Sequence, residues 1–467
     1  MPNFRNLKEI QINENVSIVE ALEKINETAI HTGSKGFIVL IDSNEKCSGV
    51  LTDGDFRRMI LEKIDLQQPV KFHANKDFKS VGPNYSSHEI LRFFDSGLRS
   101  VPVIDKEGKL VDLLVYDKFL ASARGKENIF RAKSPVRVSF AGGGTDMSFF
   151  FQQNKGYVLS TTINKYCYAS LKMRSDDKIF INNGDLGINL EYENYSEFQK
   201  DSNNDLIKSC VKIMEPDYGF ELFTHSEIEP GTGLGGSSAM SSAVIGAFNK
   251  ADSNRYLDKY HIADLAYQAE RIDLGIEGGW QDQYATVFGG FNLIEFRNNE
   301  IIVVPLRINP DVLHELQYNL LLFRVGATRN SGDIITDQKY NFEKSSDQKE
   351  YYMSLATLAL KMKDELLRGE LTKFGRSLHE GWLLKKKLSN NISGNHIDEI
   401  YSESLRLGAL GGKVLGAGGG GHMLLYCRPK YQSEVINHLI SQGGKRVDFD
   451  FIDHGLENWE TFVESDE

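Results

Sequence analysis

Residues 230–239 read PGTGLGGSSA, four glycines and two serines in ten positions, directly ahead of an apolar helical run. Such a segment turns tightly and then enters a helix, because glycine takes positive φ where other residues strain. Bare N–H groups at a helix N-terminus make an anion site: without side chains the backbone can approach a phosphate, and the helix dipole favours negative charge. Ser237 and Ser238 put hydroxyls beside that site, where one can help hold Mg²⁺. Glu270 and Asp282, twelve residues apart, and a second glycine cluster, LGAGGGGHM at residues 415–423, complete a set that indicates phosphoryl transfer.

Two common phosphate-binding patterns fit less well. Gly231, Gly233 and Gly236 spell GxGxxG, but polar HSEIEP precedes them instead of an apolar strand, and no second strand ending in a ribose-binding acid follows. No GxxxxGK[ST] occurs anywhere in the 467 residues. A kinase built on this chain uses another loop.

A chain of this length with 40% apolar residues can bury two or three domains. Its net charge of −11 disfavours nucleic acid or an anionic membrane as the main partner. Four widely spaced cysteines (Cys47, Cys167, Cys210, Cys427) include no CxxC, so neither a zinc site nor a disulfide framework is expected, and a reducing cytoplasm fits. MPNFRNLKEI lacks a signal-peptide pattern, and no run of about 18 apolar residues is present to span a bilayer.

An internal repeat sets the first quarter apart. Residues 37–56, FIVLIDSNEKCSGVLTDGDF, align without a gap on 100–119, SVPVIDKEGKLVDLLVYDKF. Each copy reads strand, polar turn after Ile-Asp, second strand, helix start, and each follows a helical stretch: Ile18, Ala21, Leu22 and Ile25, then Ile90, Leu91, Phe93 and Phe94. The unit resembles a tandem pair of CBS modules, with GVLTDGDFRR its best-matching segment. The resemblance implies an adenine-nucleotide site at Thr52 and Asp55; the second copy has Val115 and Lys118 there, which limits the pair to one such site. TDGDF equally suits a capped helix start, with Thr52 or Asp53 as N-cap, and a purely assembling or spacing role stays open. Residues 121–128, ASARGKEN, read as a linker.

From Ser134 the chain continues SPVRVSFAGGGTD. Together with PGTGLGGSSA and LGAGGGGHM, in that order, this resembles the GHMP small-molecule kinases over residues 129–467. GGGTD, GYVLSTTINKY and AERIDLGIEGGWQDQYATVFGGFN are similar to the sugar 1-kinase branch that acts on heptose 7-phosphate. The implied fold class is α+β: a CBS pair over 1–125, then a kinase of two lobes, about 129–310 and 311–467, with the active site between them. The resemblance implies ATP and Mg²⁺ as cofactors, an anomeric hydroxyl as acceptor and a sugar 1-phosphate for nucleotide-sugar synthesis. It also implies a homodimer or higher homo-oligomer.

The roles follow residue by residue. Gly231, Gly233, Leu234, Gly235, Gly236, Ser237, Ser238 and Ala239 are the expected ATP-phosphate loop, with Ser238 and Glu270 as Mg²⁺ ligands. Asp282 is the expected base, with Arg137 beside it to stabilise the anion or the transferring phosphoryl oxygens. A carboxylate is a weak base for a hydroxyl, but an anomeric hydroxyl is more acidic than an ordinary alcohol, and a metaphosphate-like transition state needs little deprotonation beforehand. Gly143, Gly144, Thr145, Asp146, Gly418 and Gly419 are expected around the sugar, and Arg329 and Lys165 as cations for an anionic acceptor. His422 is assigned no role, since a lone histidine is usually a structural or surface residue. Two other functions fit the same residues: a kinase for a free sugar such as fucose, and a non-catalytic adenine-nucleotide sensor. The intact set Arg137, Ser238, Glu270 and Asp282 argues against the sensor.

Overall fold

The computed structural model describes residues 7–32, 36–116, 119, 126–203, 205–252, 256–298, 300–326 and 331–464. The chain separates into two compact units, one formed mainly by residues 1–129, the other by 130–250 and 257–459.

In the smaller unit the repeat is visible in the backbone. Phe37–Ile41 pairs antiparallel with Cys47–Thr52, Ser100–Ile104 pairs the same way with Leu110–Val115, and the two ladders carry irregularities at the matching steps Leu40/Ile41 and Val103/Ile104. Each polar turn is built by its aspartate. Asp42 Oδ1 accepts from the N–H groups of Asn44 (2.8 Å) and Lys46 (2.9 Å), and Asp105 Oδ1 accepts from those of Glu107 (2.9 Å) and Lys109 (2.8 Å). These bonds hold Asp42 ionised below the usual carboxylate range. Ile18, Ala21 and Ile25, the predicted apolar stripe of Ile18–Thr32, pack on Ile38, Leu40 and Leu51.

The larger unit holds two sheets. One has nine strands, with a central path Glu300–Pro305, Asn292–Arg297, Gly156–Met173, Phe220–Ser226, Ile179–Asn183, Ile188–Tyr192, and Lys126–Ala141 also joins at Gly156–Met173. The other runs Ala409–Val414, Gly421–Cys427, Leu320–Val325, Lys445–Arg446. Helix Gly236–Ala251 is buried along Ala239, Ala243 and Ala247, small enough for close approach to its neighbours, with Val244 and Phe248 filling the core beside them. Helices Ser346–Leu367 and Leu371–Lys386 pack on each other, and the second packs on the four-stranded sheet.

Two expectations shift. Strand Lys126–Ala141 already begins inside the proposed linker. Phe451 and Ile452 pair with Ile163 and Thr162, so the chain returns to the large sheet after 446 and the second lobe does not run to the end. An aromatic cluster, Phe451 against Phe140 and Phe291, is the reason: it buries the returning segment on the first sheet.

Candidate active site

The two glycine clusters meet. A Cβ at Gly233 would lie 2.6 Å from the carbonyl oxygen of Leu415, one at Gly416 would lie 2.6 Å from Gly233 Cα, and one at Gly421 would lie 2.5 Å from the Thr232 carbonyl. Only glycine allows this backbone contact, and Gly231, Gly233 and Gly235 hold φ of +74°, +81° and +77°. Together the clusters wall a cleft whose other lining residues include Arg137, Gly143, Gly144, Asp146, Arg271, Asp282 and Lys385.

Arg137 comes from the strand before the GGGTD turn and is 2% exposed. Its Nε donates to Asp282 Oδ1 (2.7 Å) and its Nη2 to Asp282 Oδ2 (2.8 Å), a two-point fork, while Nη1 donates to the Gly233 carbonyl (2.6 Å). One side chain therefore fixes both Asp282 and the 231–236 glycine loop. Asp282 starts helix Gln281–Phe288 and keeps an edge toward the cleft.

Glu270 lies on a wide π-type turn, Gln268–Asp273, and is buried. Its carboxylate accepts from the hydroxyls of Ser237 and Ser238 (2.8 Å to Ser238) and from Gln283 Nε2 (2.8 Å), and Arg271 Nη1 lies 3.3 Å away. Ser237 lines the cleft; Ser238 does not, being fully buried with its hydroxyl turned to Glu270. The expected partners Ser238 and Glu270 are thus in contact, and Ser237, bonded to the same carboxylate, is the serine of the two that borders the cleft. Ala239 and Leu234 are likewise buried structural members, Leu234 accepting from Arg137 N (2.9 Å).

Asp146 is buried yet borders the cleft. It accepts from Gly144 N (2.9 Å), Gln281 N (3.2 Å) and Gln281 Nε2 (3.1 Å). Burial first, and the neighbouring Asp282 second, push its carboxyl above the usual range despite these bonds. Thr145, expected at the sugar, is elsewhere: its hydroxyl donates to the carbonyls of Gly142 (2.8 Å) and Tyr157 (3.0 Å) and accepts from Tyr157 N (3.0 Å). It braces the turn and does not line the cleft. Gly418 lines the cleft, whereas Gly419 N is held by the Ile392 carbonyl (2.7 Å). Lys165 lies on Gly156–Met173 and outside the cleft lining. Arg329 falls outside the described residues. His422 is buried with Nδ1 2.8 Å from the Thr232 carbonyl.

Two buried lysines were not anticipated. Lys385 lines the cleft and donates to the Gly416 carbonyl. Lys413 lies behind, donating to the carbonyls of Ser139 (2.8 Å) and Phe140 (3.4 Å). Burial pulls Lys385 down to about 8, helped by Arg137, and Lys413 well below the usual lysine range.

In the smaller unit Thr52 is the N-cap of helix Asp53–Leu61. Its N–H (2.9 Å) and hydroxyl (2.7 Å) both donate to Asp55 Oδ2, so the two expected nucleotide contacts bond each other.

The sequence of the larger unit matches the model of the GHMP kinases N terminal domain at residues 205–290 and that of GHMP kinases C terminal at 362–445; CBS domains match at 7–62 and 70–122. Over 337 residues the chain is 37% identical to D-glycero-alpha-D-manno-heptose 7-phosphate kinase of Campylobacter jejuni, covering 70% of this chain and 98% of that protein. The chain belongs to the GHMP kinases. Among solved GHMP structures, a D-glycero-D-manno-heptose 1-phosphate kinase of Bacteroides thetaiotaomicron superposes with a TM-score of 0.59 at 31% identity, covering 71% of this chain and 98% of that one. The L-fucokinase/L-fucose-1-P guanylyltransferase of Bacteroides fragilis is 25% identical over 71% of this chain and 38% of that protein. This chain is thus a sugar kinase of the GHMP type, preceded by CBS domains, and the family is ATP-dependent. No helix among the described residues is long and apolar enough to cross a membrane.

Proposed function

We propose that this kinase transfers the γ-phosphoryl group of ATP to the anomeric hydroxyl of a heptose 7-phosphate, giving the 1,7-bisphosphate for nucleotide-sugar synthesis in the cytoplasm. The observation that carries the reading is the Arg137 fork on Asp282 at the mouth of a two-glycine-cluster cleft. Residues 129–467 are the catalytic part and 1–125 a regulatory or assembling CBS pair in this reading.

The donor set suits Mg²⁺: a carboxylate and a hydroxyl, Glu270 and Ser237, are hard oxygen ligands, and no third acidic, His or Cys side chain joins them in a metal cluster among the described residues. Magnesium takes few protein ligands when phosphates supply the rest, and bound there it neutralises phosphate charge. Gly231 to Ser237 cradle the phosphates with backbone N–H groups. An apolar hollow opening from Ser237, lined by Ile181, Leu186, Ile188, Leu190 and Met240, suits a flat base. Asp146 accepts hydrogen bonds from sugar hydroxyls. Asp282 orients the acceptor hydroxyl and takes its proton, and Arg137 keeps Asp282 aimed.

A coupled ADP-release assay with Mg-ATP against a panel of sugars and sugar phosphates tests this, with the phosphorylated position read by ³¹P NMR. Turnover of heptose 7-phosphate at C1 is the expected result. Turnover of fucose alone changes the acceptor, and ATP binding without turnover of any sugar overturns the reading.

A further inference from the structure

A phosphoryl group in flight is best met by a cation that can turn its donors to it, and Arg137 is held in one orientation. Three of its five N–H donors are committed, two to Asp282 and one to the Gly233 carbonyl, and the side chain is 2% exposed. Arg271, the second cation in the lining, is paired with Glu270 through Nη1, which also reaches the carbonyls of Ile276 and Glu277, while its Nε is buried without a partner among the described residues. Lys385 differs from both. It is 6% exposed, forms no ion pair among the described residues, and directs one N–H to the Gly416 carbonyl, which leaves two of its three donors for a ligand. A buried ammonium without an anion is costly unless one arrives.

Its place in the fold is specific. Lys385 ends the apolar stripe Leu371, Phe374, Leu378, Trp382 of helix Leu371–Lys386 and so projects inward from the last turn. The Gly416 carbonyl that it holds belongs to the glycine cluster lying against Gly233 of the phosphate loop. Arg137, Asp146 and Asp282 are its charged neighbours in the cleft, and Lys413 lies behind it.

We propose that Lys385 is a catalytic residue: its ammonium hydrogen-bonds the oxygens of the phosphoryl group passing from ATP to the acceptor, while Arg137 acts on Asp282 as a positioning residue. This rests on the phosphotransfer reading above. No bond to Lys385 forms or breaks; it neutralises charge that grows on those oxygens.

The charge state supplies one check. Burial holds Lys385 near 8, with Arg137 lowering and Asp146 and Asp282 raising it. The required form is protonated, so the rate falls as pH rises through about 8.

The test uses the full chain and begins with the wild type, whose turnover of the sugar phosphate establishes the reading itself. Lys385→Met is then expected to lower kcat by about 10²–10³ with the KM of the sugar phosphate nearly unchanged. Lys385→Arg is expected to recover at least tenfold of that and to lose the alkaline limb. Independently of turnover, calorimetry with AMP-PNP and ADP reads the contact: Lys385→Met weakens AMP-PNP by tenfold or more and ADP by less than threefold. Melting curves for Lys385→Met and Lys385→Gln separate loss of fold from loss of charge. An active wild type with a Lys385→Met enzyme within threefold of it, or an unchanged AMP-PNP to ADP ratio, overturns the assignment. A wild type without turnover overturns the phosphotransfer reading and this inference with it.

Discussion

Arg137 and Asp282 share a buried, two-point contact, and the magnitude of such a contact decides how its variants behave. An exposed pair is worth about 0–1 kcal/mol, whereas removing one partner of a buried pair costs about 3–5 kcal/mol because the other charge is left alone. Asp282→Asn is therefore expected to lower kcat by 10²–10⁴, the range for a lost general base, and also to destabilise the larger unit, since Arg137 is 2% exposed. Steady-state kinetics well below the midpoint of a thermal melt checks both; full activity would remove Asp282 from the chemistry. A second residue-scale prediction concerns the repeat. Glu45 holds φ of +61° at the position where the other copy has Gly108 at +88°. Left-handed backbone costs a non-glycine residue about 1–2 kcal/mol, and the contact Glu45 makes with Lys109 is exposed. Glu45→Gly should stabilise the unit by about 0.5–1 kcal/mol once glycine's greater freedom in the unfolded chain is deducted; denaturant titration reads it. The pairing of Arg137 with Asp282 was legible in the motifs. Lys385 was not, because it lies far from every glycine cluster, in WLLKKKL. Its signal was phase: of the three lysines, only this one continues the stripe through Phe374, Leu378 and Trp382.

Among elements, the contact between the two glycine clusters is what turns two loops into one wall. Its legibility was partial. Glycine density announced that the first loop needed positive φ, but which serine borders the cleft depends on the phase of helix Gly236–Ala251, which puts Ser237 outward and Ser238 inward. For the same reason Thr145 could not be told from a sugar contact: its neighbours Gly142 and Tyr157 come together only once the turn after Lys126–Ala141 meets Gly156–Met173. Gly233→Ala brings two penalties at once, a Cβ 2.6 Å from the Leu415 carbonyl and φ of +81°. Strain of about 1–3 kcal/mol is expected. Because both contacts are backbone, the loops must part, and ATP affinity should fall tenfold or more with the fold retained. Calorimetric titration with ATP and circular dichroism distinguish this from general unfolding, and native ATP affinity would show that the wall is not needed.

For the whole molecule, the open matter is what a CBS pair adds to a sugar kinase. Regulation requires a ligand at the pair and a coupling free energy with the kinase site, and a local test at Thr52 must separate ligand binding from helix capping. Thr52 and Asp55 bond each other at the start of Asp53–Leu61, so Thr52→Ala costs about 1 kcal/mol through the cap alone. Thr52→Ser keeps a hydroxyl for both duties. AMP is a suitable probe because it is not a phosphoryl donor. With saturating sugar phosphate and ATP, AMP is expected to change the wild-type and Thr52→Ser rates at least twofold, and to leave a Thr52→Ala, Asp55→Ala enzyme unmoved. Rate effects alone do not establish the coupling, whereas binding is reciprocal: if AMP changes the affinity for sugar phosphate twofold, about 0.4 kcal/mol, sugar phosphate must change the affinity for AMP by the same factor. Calorimetry of AMP with and without sugar phosphate measures that factor directly. A factor of one, with AMP bound in both titrations, would leave the pair a nucleotide-binding or assembling device uncoupled from the acceptor site.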